Sequence, residues 1–499
     1  MPALVFVALV VAAVGSLGAP LITSVATTMH VSLASAQWTL TAPLLSGAVA
    51  TPFLGRLGSG PRRRATIIGT LATVTIGSVL TVAPAPFPVL LAGRVLQGAG
   101  LGLTALMMGV ARDHLPAARS ASVIALVSVA STIGIGVGYP LAGLLTMAGG
   151  VRAAYGLGLL VTAVALVAAV ITMPAAPPGR SARLDAGGAV LLALSLLALL
   201  LVMSQTSVWR SQPGVAVTLT VAGVAMLGGW ARHSGRTPAP LVDLRLLRLP
   251  GVVVANVAMG VGGAGMYLLL TLLTRYAQTP PGAGYGFALT TFEAGLILIP
   301  FSLLGFVAGR VVPSLRGRLG APLLLRGSAV VVMGAFIVFA VARAHLVEVL
   351  AAMAVLGFGV GGFSAAMPGV ILAATPAGET SSAMSFNQVV RSVGFAAGSA
   401  VGGLVLSAGT PAGQLSPSDG AYTTAAWIGA AVMGVTALAT LARRGRSGTL
   451  SVFGGGGGEK VAGEDDGRHE ELEGERPRGQ GVGGPAGRDG AHGGDDGRH

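Results

Sequence analysis

Apolar segments of about twenty residues follow one another through most of the chain, and this feature limits the possible folds more than any other. A helix that crosses a bilayer needs about 20 mainly apolar residues, and its backbone groups must bond within the segment. The chain is 53% hydrophobic and only 10% charged, whereas soluble domains carry about 25% charged residues. We therefore predict an all-α polytopic membrane protein with fourteen spans, near residues 3–25, 37–57, 66–83, 88–110, 121–145, 153–173, 187–205, 214–231, 252–274, 292–312, 323–342, 347–372, 383–408 and 423–442.

The positions of the positive charges predict the orientation of these spans. The net charge of +13 comes almost entirely from arginines in short loops, which argues against nucleic-acid binding and follows the positive-inside rule. We expect these loops, and with an even number of spans both termini, on the cytoplasmic side of the cell membrane. The apolar start, which lacks basic residues, is expected to be the first span and not a signal peptide. Most of the arginines lie in alternate loops: Arg62, Arg63 and Arg64; Arg112 and Arg119; Arg180 and Arg183; Arg232, Arg236, Arg245 and Arg248; Arg316 and Arg318; and Arg443, Arg444 and Arg446.

A shift of about 260 residues aligns residues 89–145 with residues 349–405. About eighteen of fifty-seven aligned positions are identical, among them Gly134 with Gly394 and Gly138 with Gly398. The repeat predicts two related six-span bundles, with a substrate site between them near the midplane of the membrane. Residues 443–499, rich in glycine and charge, are expected to form a disordered cytoplasmic tail. The predicted units are 1–173 (first bundle), 174–251 (two inserted spans and a cytoplasmic linker), 252–442 (second bundle) and 443–499 (tail).

Arg94 and Arg391 lie inside predicted spans, where a charge is costly and normally faces the interior of the bundle or a water-filled path. Arg94 belongs to the segment RVLQGAG and shares a helix face with Gln97, three residues further on. Packing is the alternative role for Arg94, with backbone carbonyls capping its guanidinium. For Arg391 the alternatives are a place in a cavity or gate, or a snorkelling structural role.

Two further segments suit a helical bundle that changes shape. Gly55 is followed by a basic turn that can dock on neighbouring helix ends, with Asp113 as the available partner; the alternative is a topology anchor alone. The segment GIGVGYPLAG combines glycines, which let helices pack closely, with a proline, which bends a helix. The residues singled out are Arg62, Arg63 and Arg64 in the turn, and Gly134, Gly138, Pro140 and Gly143 in the glycine segment.

With these segments, residues 1 to about 445 resemble the fourteen-span drug/proton antiporter branch of the major facilitator superfamily. RVLQGAG matches the branch's R-x-x-Q-G-x-G in full. The basic turn is similar to G-x-L-x-D-x-x-G-R-R but has Ser59 in place of the aspartate, and the glycine segment is similar to G-x-x-x-G-P-x-x-G-G. The resemblance implies the major facilitator fold, proton coupling through Arg94, a cytoplasmic gate at the basic turn and a glycine hinge typical of exporters.

The remaining candidate site residues are chosen from their positions in the predicted spans. Glu293 begins the tenth span and is the predicted proton carrier, because the first span lacks the acid that this branch commonly has; a solvated carboxylate is the alternative. Trp38, Met107 and Asn387 are weak candidates for the substrate cavity. The sequence has no cysteine, its histidines lack metal-ligand spacing, and no phosphate-binding loop is followed by lysine. We therefore expect no metal, no cofactor, no enzymatic activity and no use of ATP.

These features predict a secondary transporter that exports small lipophilic drug-like or metabolite compounds by alternating access, driven by proton entry. A cavity with two arginines and few carboxylates favours neutral or weakly anionic substrates. The expected partners are the substrate, protons and the lipid bilayer, and a monomer is expected. The alternatives are uptake or facilitated diffusion by the same fold, a membrane sensor that does not transport, and, least favoured, a membrane-embedded enzyme acting on lipid-linked substrates.

Overall fold

The computed structural model describes residues 2–440 except 59, 176–184, 205, 239, 377–378, 412–413 and 415, and every regular element in this part of the chain is helical. The α-helices are α1 (Pro2–Ser16), α2 (Gly18–Met29), α3 (Leu33–Leu57), α4 (Arg63–Val82), α5 (Phe87–Gly98), α6 (Leu103–His114), α7 (Ala117–Thr172), α8 (Ala186–Ser204), α9 (Thr206–Ser211), α10 (Pro213–Ser234), α11 (Leu244–Arg248), α12 (Pro250–Ala277), α13 (Thr291–Leu296), α14 (Leu298–Leu319), α15 (Ala321–Val341), α16 (Leu346–Leu372), α17 (Thr380–Ala408) and α18 (Asp419–Ala439). Short 3₁₀ helices cover Ala99–Gly102, between α5 and α6, and Pro281–Ala283.

Among the described residues, eleven helical segments are long and apolar enough to cross a membrane. The three other predicted spans fall on α1 and α2, on α3, and on the first part of α7. α1 ends at a break at Leu17, and α3 carries polar residues such as Gln37 and Thr39 that lower its hydropathy. α7 contains the fifth and sixth predicted spans, which are separated at Gly149 and Gly150, the latter with a φ of 71°. The chain is therefore a helical membrane protein, and the count of fourteen spans stays a prediction.

Glycines at matching positions of the repeat bring two helices into contact in each half. A Cβ atom at Gly134 would lie 2.7 Å from the carbonyl oxygen of Leu9 in α1. A Cβ atom at its counterpart Gly394 would lie 2.5 Å from the carbonyl oxygen of Gly260 in α12. Side chains cannot be accommodated at such distances, so α7 packs on α1, and α17 on α12, with their backbones in contact. The repeat in the sequence thus corresponds to the same helix crossing in both halves.

The two halves meet in two places, one where α7 contacts α13, α14 and α16 and one where α3 and α6 contact α17. α7 packs on α13 and α14, where a Cβ atom at Gly143 would lie 3.0 Å from Phe292 Cδ2. α3 packs on α17, where a Cβ atom at Gly55 would lie 2.2 Å from the hydroxyl oxygen of Ser385. Glycines of the hinge segment and of the basic turn therefore both lie where one half touches the other.

The inserted helices α8 and α10 pack on each other. α8 also packs on α3 and α17, next to the place where these two helices contact each other. Asp185, just before α8, accepts a hydrogen bond from the Gly188 amide and pairs with His233 of α10, each at 2.8 Å. Trp230 of α10 stacks on Phe386 of α17 with ring centroids 6.4 Å apart. The insertion thus contacts both halves. The predicted boundaries between the units stay predictions, and the predicted tail, 443–499, lies outside the described residues.

The close crossings give a first prediction. A Cβ atom at Gly398 would lie 2.0 Å from the carbonyl oxygen of Ala264, so Gly398→Ala should push α17 away from α12. We expect a clear fall in the thermal unfolding midpoint of the purified protein in detergent. Gly156 of α7 is the control, because its Cβ position faces open space and alanine is favoured over glycine in a helix by about 1 kcal/mol. Equal midpoints for the two variants would contradict the crossing.

Candidate functional site

A central cavity lies between the two halves and is lined by side chains from both. Its first wall comes from α1, α3, α6 and α7, and its second from α12 and α17, with Leu200 of the inserted helix α8 at the side. Aromatic groups from both halves, Tyr139, Tyr267 and Phe395, contribute to the lining. The polar side chains that line it are Ser16, Gln37, Thr41, Thr51 and Thr104 from the first half and Gln388, Arg391, Ser392 and Ser399 from the second.

Helical periodicity explains why these residues share the cavity. On α17, Gln388, Arg391, Ser392, Phe395 and Ser399 follow at intervals of three or four residues and so lie on one face. The lining residues of α3, from Gln37 through Leu44 to Thr51, recur at similar intervals. Gln37, Thr41 and Thr51, polar residues of α3, thus face the cavity, whereas Thr39 is buried away from it.

Arg391 is the one charged residue among the described residues that line the cavity, and no carboxylate accompanies it. Its guanidinium carbon lies 5.6 Å from the centre of the Phe395 ring, in a cation–π arrangement. The Phe395 ring in turn stacks on Tyr267 of α12, with centroids 5.1 Å apart. No described residue forms a hydrogen bond or ion pair with the guanidinium, so its donors are directed into the cavity without a protein acceptor.

Arg94 has the opposite environment. It is fully buried and is not one of the residues that line the cavity. Its guanidinium donates to the carbonyl oxygens of Thr39 at 2.7 Å, Val14 at 2.9 Å and Gly15 at 3.0 Å, and to the Gln97 side chain at 2.7 Å. The arginine therefore takes the geometry of the packing alternative, with carbonyls around the charge.

These contacts join five helices of the first half. Val14 and Gly15 lie near the end of α1, and Leu17, whose backbone dihedrals are helical, separates α1 from α2. Gln97 extends the network by donating to the hydroxyl groups of Ser78 and Thr81 on α4, at 3.0 and 3.4 Å. The guanidinium carbon also lies 5.7 Å from the ring centre of Tyr155 on α7. Arg94 and Gln97 thus connect α1, α3, α4, α5 and α7.

The structure brings the basic turn and Asp113 together. Arg63 is buried and donates to the Asp113 carboxylate at 2.6 Å and to the Gly58 carbonyl oxygen at 2.8 Å. Arg64 donates to the Val170 carbonyl oxygen at the end of α7, at 2.9 Å, while Arg62 is exposed. Ser59 lies outside the described residues. The turn therefore ties α4 to α6 and α7 within the first half.

Contacts between the halves lie at the same end of the bundle, where α3 and α6 finish and α17 begins; we call it the arginine-rich end. Arg112 of α6 donates to the Thr380 hydroxyl at 2.7 Å and to the Thr375 carbonyl oxygen at 2.9 Å. Arg56 of α3 pairs with Glu379 at 3.6 Å. Sequence reasoning missed these roles, and the only signal for them was the position of the three charged residues at predicted span ends.

The other predicted site residues lie elsewhere. Glu293 is exposed, and its carboxylate accepts hydrogen bonds from the Thr290 amide and hydroxyl, at 2.8 and 2.9 Å, in a helix cap. Met107 is in the main apolar core, and Trp38 packs against the cluster around the inserted helices. Asn387 is buried and donates to the Asn256 side chain at 3.0 Å. None of these four residues lines the cavity, although Gln388 and Arg391, close to Asn387, do.

The glycines of this segment, which is part of α7, face two sides of the helix. Gly134 and Gly138 face α1, and Gly143 faces Phe292 of the second half. Pro140 lies against Gly295, at 3.3 Å from its Cβ position. The segment therefore packs on α1 on one side and on α13 of the second half on the other.

Comparison with known proteins identifies the family. The model of the Major Facilitator Superfamily matches residues 4–399. The chain belongs to this superfamily. Two solved structures of the same fold are the human organic anion transporter MFSD10 (TETRAN), with a TM-score of 0.58, and the E. coli fucose:proton symporter FucP, with a TM-score of 0.59. Both are 15% identical to this chain, cover 88% of it, and are themselves covered to 98% and 97%.

Curated relatives of the chain carry names that refer to multidrug resistance, transport or export. The "Multidrug resistance protein B homolog" of Mycobacterium tuberculosis is 28% identical over 331 residues, which are 65% of this chain and 60% of the relative. The "Probable actinorhodin transporter" of Streptomyces coelicolor is 29% identical over 395 residues, 74% of this chain and 65% of the relative. The "Cephamycin export protein CmcT" of Amycolatopsis lactamdurans is 30% identical over 311 residues, 60% and 61% of the two chains. The chain thus spans less than two thirds of the length of these relatives. Their names agree with the prediction that this member of the superfamily is not an enzyme.

The surroundings of Arg94 give a second prediction. Because a buried polar group left without a partner costs about 1–3 kcal/mol, Arg94→Ala should destabilise the protein by about 3 kcal/mol or more. We expect a lower thermal unfolding midpoint in detergent and a lower yield of folded protein. Arg391→Ala is the matched control, since it removes an arginine of the other half without breaking a hydrogen bond among the described residues. An Arg94→Ala protein that folds as stably as this control but does not transport would instead give Arg94 a direct part in coupling.

Proposed function

We propose that the chain is a secondary transporter that exports small lipophilic compounds by alternating access, coupled to proton entry. The observation that carries this proposal is the central cavity, which both related halves line and which contacts between the halves close at the arginine-rich end. A site of this kind between two repeats is what alternating access requires. The name of one relative, the cephamycin export protein, supports export as the direction. The proposed transporter acts as a monomer.

The orientation and span number belong to the same proposal. With fourteen spans and the positive-inside rule, the arginine-rich end faces the cytoplasm, as do both termini, in the cell membrane. The described conformation is then closed towards the cytoplasm. Arg112 and the Arg56–Glu379 pair hold it closed, because they join α3 and α6 of the first half to α16 and α17 of the second. These contacts must break before substrate can enter from the cytoplasm.

Glu379 is the carboxylate best placed for a proton to act on this closure. Its side chain is half-buried, with 34% exposed, and one of its oxygens is buried without a hydrogen-bond partner. Burial raises the pKa of the Glu379 carboxyl, Arg56 opposes the shift, and Asp243 adds to it. The carboxyl therefore takes up a proton at a higher pH than an ordinary glutamate. Protonation removes the charge that Arg56 pairs with and so favours opening.

A row of polar groups on α17 supports a path for that proton. Ser381, Ser385 and Gln388 follow one another at helical spacing from the start of α17, where Glu379 is the N-cap residue, and Gln388 lines the cavity. Both hydroxyl groups are buried and have no hydrogen-bond partner in the described part of the chain. We infer that protons reach Glu379 from the cavity along this face. Glu293, in contrast, is exposed and fixed in a helix cap.

A vesicle assay tests the proposal. Inside-out vesicles containing the chain, energised so that the lumen is acidic, should accumulate members of a panel of lipophilic fluorescent compounds. Nigericin, which collapses the pH gradient, and valinomycin with potassium, which collapses the electrical potential, should each reduce the accumulation, and the two together should abolish it. Transport that survives both ionophores together would contradict proton antiport, and release in place of accumulation would contradict export.

The same assay separates the two candidate proton carriers. Glu379→Gln should lose the stimulation by the pH gradient, because the residue can no longer gain or lose a proton. Glu293→Gln is the matched control and should keep it. The reverse pattern would return the proton-carrying role to Glu293.

A further inference from the structure

The guanidinium of Arg391 carries a charge that the described protein does not balance. Three other arginines that are shielded from solvent have an acceptor: Arg94 has carbonyls, Arg63 has Asp113, and Arg343, just after α15, has Asp419 at 2.7 Å. Arg391 has none among the described residues, and the cavity around it is mostly apolar. A charge in an apolar surrounding is stabilised strongly by a counter-charge. The missing partner points to a ligand.

The guanidinium is nevertheless held in place. Phe395 lies four residues further along the same helix face, below the guanidinium at 5.6 Å, and Tyr267 of the opposite helix stacks on Phe395 with its ring 22° from parallel. The ring contact orients the group while leaving its N–H donors free. A planar fork of donors is suited to a carboxylate or a similar anion, which can accept two parallel hydrogen bonds.

We propose that the central cavity binds amphipathic organic monoanions, with the anionic group on Arg391 and the apolar body of the ligand against the aromatic and leucine side chains of the lining. A single positive charge matches a single negative one, whereas a phosphate dianion would leave a charge unbalanced. Gln388 and Ser392 flank the arginine on the same face and supply further polar contacts. Leu40, Leu44 and Leu270 provide apolar surface. Cationic ligands are disfavoured by the same charge.

This inference rests on the proposed function, because it takes the central cavity to be the transport cavity. It narrows the substrate class from neutral or weakly anionic compounds to those with one negative charge. It also adds a driving force, since a membrane potential that is negative inside favours the outward movement of an anion.

Equilibrium binding to the purified full chain in nanodiscs tests it. The probes are 1-naphthoate and the neutral 1-naphthalenemethanol, which share a ring system and differ in the anionic group, with titration calorimetry corrected for empty nanodiscs. Unsubstituted protein should bind naphthoate more tightly. Because a hydrogen bond to a charged group is worth more than a neutral one, Arg391→Gln should weaken naphthoate binding by about tenfold or more and change naphthalenemethanol binding by less than about twofold.

Two variants complete the design. Arg391→Lys keeps the charge without the planar fork and should retain part of the preference for naphthoate. Arg310→Gln is the matched control: Arg310 also lies over a phenyl ring of its own helix, at 5.2 Å from Phe306, but outside the central cavity, and the variant should bind both probes normally. Unchanged naphthoate binding in Arg391→Gln, or an equal loss for both probes, would overturn the proposal. Binding does not depend on transport, so selective binding without accumulation in vesicles would refute the proposed function and leave the anion site standing.

Discussion

A guanidinium enclosed by backbone carbonyls determines much of the first half of this protein. Arg94 cannot be left unpaired inside an apolar bundle, because a buried charge without hydrogen bonds is far too costly. The chain meets this requirement with carbonyls from α1 and α3 and with the side chain of Gln97. The carbonyls of Val14 and Gly15 are fixed in consequence, and Gly15 and Ser16 form part of the cavity wall. Arg94 thus shapes the cavity without lining it.

Arg94 and Arg391 have different roles in the two duplicated halves. The repeat preserves the glycines that cross helices, but it has Ala354 at the position equivalent to Arg94. The second half is therefore not held by a buried arginine at that point, and its own arginine, Arg391, lies on the face of α17 that forms the cavity. Arg94 has acceptors for its N–H donors and stabilises the first half. Arg391 has no acceptor among the described residues and is available to bind a ligand. The scaffold is duplicated and the polar chemistry is not.

The sequence predicted the parts of this structure that depend on local pattern. Apolar length predicted the helices, the repeat predicted the shared crossings through Gly134 and Gly394, and charge proximity predicted the pairing of Arg63 with Asp113. It did not predict Arg112 or the Arg56–Glu379 pair as contacts between the halves, since their partners lie more than 260 residues away along the chain. Trp38 and Met107 were selected by residue type, but the rotation of each helix decides which face meets the cavity. The sequence around Arg94 matches its motif fully. Its partners could not be predicted, because they are backbone carbonyls, which every residue has.

The central claim is that the halves move as two units, opening one end of the cavity as the other closes. Spin labels test it directly, because the chain has no native cysteine. One pair of cysteines, at the exposed positions Arg62 and Arg318, would report on the arginine-rich end, and another, at Pro84 and Ala344, on the opposite end. On acidification, pulsed electron paramagnetic resonance should show the first distance increasing while the second decreases. Two distances that stay fixed, or that change in the same direction, would contradict the account.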